Sequence, residues 1–327
     1  LKVVVLESSA DSVVAAREAL VRSGCYGERV AIQQADPMEC ELPPYFADLI
    51  VGLEMVPAES FERIARSVRP FGGKLVVPVS GDVRERELPG FHREMVGRQA
   101  IFTRSSLPGS SNYTGDWAVS PDELVRAPLG VLWFDDTLGH FKRSPQPRFV
   151  DGVMVSVDKI WGDDSTRTET EDYRLKPAVY SDVYTGRVLE EEEYPLLSSS
   201  LPEFDLEAVQ PKQYRPPTQR DFWKPDAPVA GHRTNPLTGE EEPRVFPKSY
   251  GCDGGFDYGM LYTMRSGTAS FYDKRIESGT INLSGPRSGC TNSVIPANGV
   301  LNVPYFYEGC TCSYPLPTAL ALVSMPE

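Results

Sequence analysis

The chain has 327 residues, room for two or three domains, and 40% of them are apolar, enough for a sizeable core. The 33 basic and 46 acidic side chains leave a net charge of −13, which argues against nucleic acid and against an anionic membrane surface as partners. No run reaches the roughly 18 apolar residues that a membrane-spanning helix needs.

Residues 1–80 read as α/β. Residues 2–6 are a largely apolar, β-branched run, and the chain starts at Leu1 within what reads as the same strand, so further sequence is expected before it. Residues 11–23 place Val13, Val14, Ala16, Leu20 and Val21 at helical spacing, and Gly24 stops the helix. Residues 30–34 and 47–53 are strand-like. Residues 60–68 predict a helix with Phe61, Ile64, Ala65 and Val68 inward, ended by Pro70, Gly72 and Gly73. A fourth strand follows at 74–79. Strands alternating with helices through short connections predict a parallel sheet with right-handed crossovers.

The period is lost over 81–124, where Gly, Pro, Ser and Asn crowd residues 107–121, and this segment is expected to be a linker. From there to residue 327 the pattern is all-β. Short strands are expected at 130–134 and 149–157, with Asp151-Gly152 as a hairpin turn, and at 179–189 around Tyr184-Thr-Gly-Arg. Residues 190–248 carry little periodicity and much proline, and read as an irregular connection. Strands return at 259–265, 269–272, 279–283, 293–297, 300–304 and 318–323.

The six cysteines divide unevenly: Cys25 and Cys40 lie early, and Cys252, Cys290, Cys310 and Cys312 fall late. The late four are disulfide candidates in any of three pairings. Free thiols and zinc are the rival readings, zinc weakened by the lack of a Cys-x-x-Cys pair and of a nearby His. Disulfides would imply an oxidising compartment.

Val3-Val-Val-Leu-Glu7, Gln34-Ala-Asp36, Ala47-Asp-Leu-Ile-Val and Arg69-Pro-Phe-Gly-Gly-Lys-Leu together resemble a class I S-adenosylmethionine-dependent methyltransferase from its second strand onward. The resemblance implies a truncated Rossmann-like domain over 1–80, with Glu7 on the cofactor's ribose hydroxyls and Asp36 near its adenine. The family's first strand and Gly-rich loop would precede Leu1. The domain is thus either part of a longer protein or a degenerate, structural version.

Leu124-Val-Arg-Ala-Pro-Leu-Gly-Val-Leu-Trp-Phe, Phe149-Val-Asp-Gly-Val-Met-Val and Tyr180-Ser-Asp-Val-Tyr-Thr-Gly-Arg-Val-Leu resemble the blades of pyrroloquinoline-quinone (PQQ)-like β-propeller repeat proteins, of the outer-membrane assembly factor type. Tyr250-Gly-Cys, Leu261-Tyr-Thr-Met-Arg-Ser-Gly, Ser288-Gly-Cys-Thr and Cys310-Thr-Cys-Ser-Tyr resemble the closing region of such proteins that carry a methyltransferase-like insert. This implies a partial or irregular propeller over 125–327, and the four late cysteines lead us to expect a bacterial, extracytoplasmic setting.

Three functions follow as expectations. The first is a binding or scaffold module that takes a small molecule or a protein at the propeller. The second is a quinone-dependent dehydrogenase, using PQQ with calcium and an aromatic platform from Trp117, Trp133, Trp161 or Trp223. Its ligand set is not in recognisable order, and these tryptophans read more simply as packing between blades. The third is an S-adenosylmethionine-dependent methyltransferase. No catalytic residue can be named: His92, His140 and His232 are isolated, and Asp135-Asp136 and Gly251-Cys-Asp-Gly-Gly are explained by turn chemistry. The acidic runs at 190–193 and 240–242 read as solvated faces.

Overall fold

A computed structural model describes residues 2–78, 87–113, 122–135, 147–156, 179–190, 193, 231–245, 247, 255–285, 294–304 and 318–325. The chain divides into two compact units, Leu1–Ser105 and Ser106–Glu327. Strands predominate, helices are few, and the strands form several small sheets with no closed barrel or propeller among the described residues.

In the first unit, β1 (Val3–Glu7) leads into α1 (Ala10–Arg22). Ser9 caps that helix, its side chain accepting the Ser12 N–H, and Asp11 adds a favourable charge in the first turn. Beyond Ser23 the chain turns at Gly24, whose φ of 71° suits a residue without Cβ. β2 (Val30–Gln34) then pairs with β1 in parallel, in a register running from Val3↔Val30 to Glu7↔Gln34. Arg17 on α1 ties helix to strand by donating from Nε and Nη2 to the Ile32 carbonyl, at 3.2 and 2.7 Å.

β3 (Leu49–Val51), a 3-10 turn (Ala58–Ser60), α2 (Phe61–Arg66) and β4 (Lys74–Pro78) follow, with β3 and β4 parallel. β5 (Phe91–Val96) and β6 (Gln99–Arg104) form a hairpin, and β6 pairs antiparallel with β4, giving the order β3-β4-β6-β5. The core of this sheet is Phe61, Val68, Leu75, Val77, Ala100 and Phe102, all fully buried. Phe61 meets Phe102 edge to face, with ring centroids 5.5 Å apart.

This hairpin differs from the expected linker over 81–124. Gly97, with φ 62°, begins a two-residue turn between Val96 and Gln99, as a hairpin connection requires. β5 is a mostly exposed edge strand, so its sequence Phe-His-Arg-Glu-Met-Val lacks the apolar alternation by which strands are read. β1 and β3 each have one strand partner among the described residues. Val3, Val4, Val5, Leu49 and Val51 are exposed.

The second unit opens with β7 (Leu129–Asp135), then β8 (Arg148–Val150), β9 (Val153–Ser156) and β10 (Val179–Asp182), the last three forming an antiparallel sheet. The hairpin expected over 149–157 is present, with Asp151 and Gly152 at φ 51° and 78° in its two-residue turn. Both positive values fit a type I′ turn. β11 (His232–Thr234) and β12 (Glu241–Pro243) pair inside the segment expected to be irregular.

Next, β13 (Gly255–Asp257), β14 (Leu261–Ser266), β15 (Thr268–Asp273) and β16 (Ile281–Asn282) make a four-stranded antiparallel meander. β17 (Ile295–Ala297), β18 (Val300–Val303) and β19 (Ala319–Ser324) form another, and β7 adds to β19 as its fourth strand. The first strand of the unit therefore closes onto its last. Val125, Ala127, Leu261, Ala269, Phe271, Val294, Leu301, Val303, Leu320 and Leu322 share one core.

Candidate functional site

The parallel pairing of β1 and β2 brings Glu7 and Gln34 opposite one another, and the Ala35 N–H continues the ladder to the Glu7 carbonyl. Glu7 and Asp36 consequently sit at the same, carboxyl end of the two strands. That end is where open α/β sheets hold ligands. Glu7 Oε1 accepts the Ser9 N–H at 2.7 Å, which fixes the carboxylate beside the start of α1. Asp36 is exposed, and its Oδ1 accepts the Met38 N–H at 2.7 Å. Each carboxylate keeps a second oxygen with no hydrogen bond among the described residues, able to accept from a hydroxyl or amine.

Two such carboxylates carry the acceptor chemistry that ribose hydroxyls or a base amine call for. For calcium with a quinone the described residues offer no group of three His, Cys, Asp or Glu side chains. Trp133 is engaged in packing: its Nε1 donates to the Val183 carbonyl at 2.8 Å and its ring lies against Gly186. Trp117, Trp161 and Trp223 lie outside the described residues, as do Cys252, Cys290, Cys310, Cys312, His140, Asp136 and residues 251–254. His92 and His232 are exposed, on β5 and β11. Cys25 and Cys40 are free.

The second unit holds a polar constellation that sequence reasoning did not single out. Asp122 is 1% exposed. Its Oδ2 accepts the N–H groups of Ser111 at 3.1 Å and Gly299 at 2.7 Å, and its Oδ1 accepts that of Leu124 at 3.1 Å. Burial pushes its carboxyl above the usual carboxylate range, against the lowering pull of these N–H groups. Asn298, fully buried, donates from Nδ2 to Asn112 Oδ1 at 2.7 Å and accepts the Gly152 N–H at 3.2 Å. The Tyr184 hydroxyl donates to the Asn298 carbonyl at 3.0 Å. These groups are saturated by each other, so the constellation ties segments together and does not present chemistry to solvent.

A turn recurs in this unit. The Gly186 N–H donates to the Asp182 carbonyl, and the Tyr184 N–H to Asp182 Oδ1. Gly239 and Leu237 repeat both bonds on Asn235, as Glu277 and Arg275 do on Asp273. The residue closing each turn has positive φ: Gly186 at 71°, Gly239 at 73° and Glu277 at 51°. The sequence trace is Asp182-Val-Tyr-Thr-Gly, Asn235-Pro-Leu-Thr-Gly and Asp273-Lys-Arg-Ile-Glu.

No helix among the described residues is long and apolar enough to cross a membrane. Comparison with family models, with curated proteins and with solved structures finds no match for this chain.

Proposed function

We propose that this chain is a binding or scaffold module, built on a PQQ-like propeller repeat unit and joined to a truncated or degenerate methyltransferase-type unit. The observation that carries the proposal is the sheet β17-β18-β19-β7, in which the opening strand of the second unit completes its final sheet. Radial β architectures leave only short, protected edges, and joining first strand to last removes one more. The recurring Asx turns at Asp182, Asn235 and Asp273 fit a unit built from repeats. The partner is a small molecule or a protein taken by loops. A bacterial, extracytoplasmic setting belongs to the same proposal and rests on the late cysteines. Thiol counting by mass spectrometry on protein isolated without reductant tests it, and finding Cys252, Cys290, Cys310 and Cys312 all reduced would refute it.

The functional test is titration of the full chain with PQQ plus calcium, followed by absorbance and by alcohol oxidation with an artificial electron acceptor. A binding or scaffold module gives no turnover. Quinone-dependent turnover would overturn the proposal in favour of a dehydrogenase. A second reading, S-adenosylmethionine binding by the first unit, is favoured by Glu7 and Asp36 standing at one strand edge. Calorimetry with S-adenosylmethionine tests it: a signal lost in Glu7→Gln supports a nucleoside site, and no signal supports a purely structural unit.

A further inference from the structure

We infer that Asn298 is a latent deamidation site, which the hydrogen bonds around it hold unreactive while the second unit stays closed. Asn298-Gly299 is the one Asn-Gly pair in the chain. In a flexible peptide such a pair is labile because glycine leaves its backbone nitrogen unshielded. That nitrogen loses its proton and attacks Asn298 Cγ, the Cγ–Nδ2 bond breaks and ammonia leaves. Water then opens the cyclic imide at either carbonyl, giving aspartate or isoaspartate. No electron is gained or lost, and water is the only co-reactant.

Each participant in that sequence is restrained here. The attacking Gly299 nitrogen holds its proton against Asp122 Oδ2 at 2.7 Å, where a carboxylate disfavours an amide anion. The leaving nitrogen, Asn298 Nδ2, donates to Asn112 Oδ1 at 2.7 Å and to the Ser111 carbonyl at 3.4 Å. Closing the imide ring needs rotation within the turn. Both turn residues are fixed at positive φ, 56° and 77°, by the paired residues Ala297 and Val300. Asn298 is also fully buried, so water for the second step is kept away.

The product would not fit. A carboxylate cannot donate to Asn112 Oδ1 or to the Ser111 carbonyl, and it would stand in the same buried knot as the Asp122 carboxylate. Reaction would thus prevent the turn from closing again, making the site a one-way record of opening.

Peptide mapping of the full-length protein, held at mildly alkaline pH, measures acid and isoaspartate at Asn298. The native protein should react at least ~100-fold more slowly than the urea-unfolded chain, because reaction must wait for local opening. Within the folded range, the rate should climb with sub-denaturing urea. Asp122→Ala should accelerate Asn298 specifically, with Asn282, followed by Leu283, as the internal reference. Equal rates in native and unfolded protein, or a rate indifferent to urea, would overturn the inference. So would faster reaction in the native state, which would make Asp122 a base for the attack. The urea series on the unaltered protein decides the matter even if Asp122→Ala does not fold.

Discussion

Asp122 shows how a single carboxylate can organise distant chain. It accepts N–H groups from Ser111, Leu124 and Gly299, and offers no donor in return. Asp122→Asn replaces one acceptor oxygen by an NH2 that faces N–H groups. The cost should be about 1–3 kcal/mol, read from urea unfolding. The pH dependence has a definite sign. Burial raises this carboxyl above 3.8, so the folded state binds its proton more tightly than the unfolded chain does. The contribution of that proton is fully present below 3.8 and is lost as pH rises through the raised value. The stability gap between the parent and Asp122→Asn should therefore be wider at acid pH than at neutral pH. Asp122 was not legible beforehand, because Pro121-Asp-Glu-Leu reads as an ordinary polar turn until Gly299 is seen to return to it. The strand ends at Glu7 and Gln34 were legible because apolar, β-branched runs lead up to them, whereas the roles expected of Glu7 and Asp36 rest on the methyltransferase resemblance alone.

At the scale of elements, the recurring turn supplies a matched pair of substitutions. Gly186 and Gly239 hold nearly the same φ, 71° and 73°. A Cβ on Gly239 would meet nothing within 4 Å, whereas one on Gly186 would come within 2.6 Å of the Trp133 ring. Gly239→Ala should cost only backbone strain, about 1–2 kcal/mol. Gly186→Ala should cost a further 1–3 kcal/mol or so from overpacking and shift the Trp133 fluorescence. Equal losses in the two variants would show that Trp133 does not dock there. In the first unit, Arg104 Nη1 donates to the carbonyls of Ala65, Arg66 and Val68 at the end of α2, and its guanidinium lies over Tyr45 and Phe91. Arg104→Ala should destabilise this unit by about 2–3 kcal/mol in chemical denaturation. Both helices and several strands were read from the sequence to within a few residues: 30–34 is β2, and α2 falls inside 60–68, but β6, with Ala100 and Phe102 buried, lay inside the expected linker. β5 and β11–β12 were missed for one reason. Their residues are mostly exposed, or paired through charges such as Arg233 with Glu242, so apolar alternation has nothing to mark.

For the whole molecule, the change of hydrophobic period along the sequence pointed to two parts, and the chain divides into two compact units. The boundary falls after Ser105, since β5 and β6 belong to the first sheet. The closure of β7 onto β19 joins residues nearly 200 positions apart, as in the contact of Ser324 with Arg126, and no local pattern announces it. The most direct test is native-state hydrogen exchange across a denaturant series. Amides of 129–135 and 318–325 should share one opening free energy and one denaturant slope, distinct from those of 74–78 and 99–104. Exchange of 129–135 at a low local level while 318–325 stays protected, or a single transition shared by all four segments, would contradict the two-unit architecture and its closure.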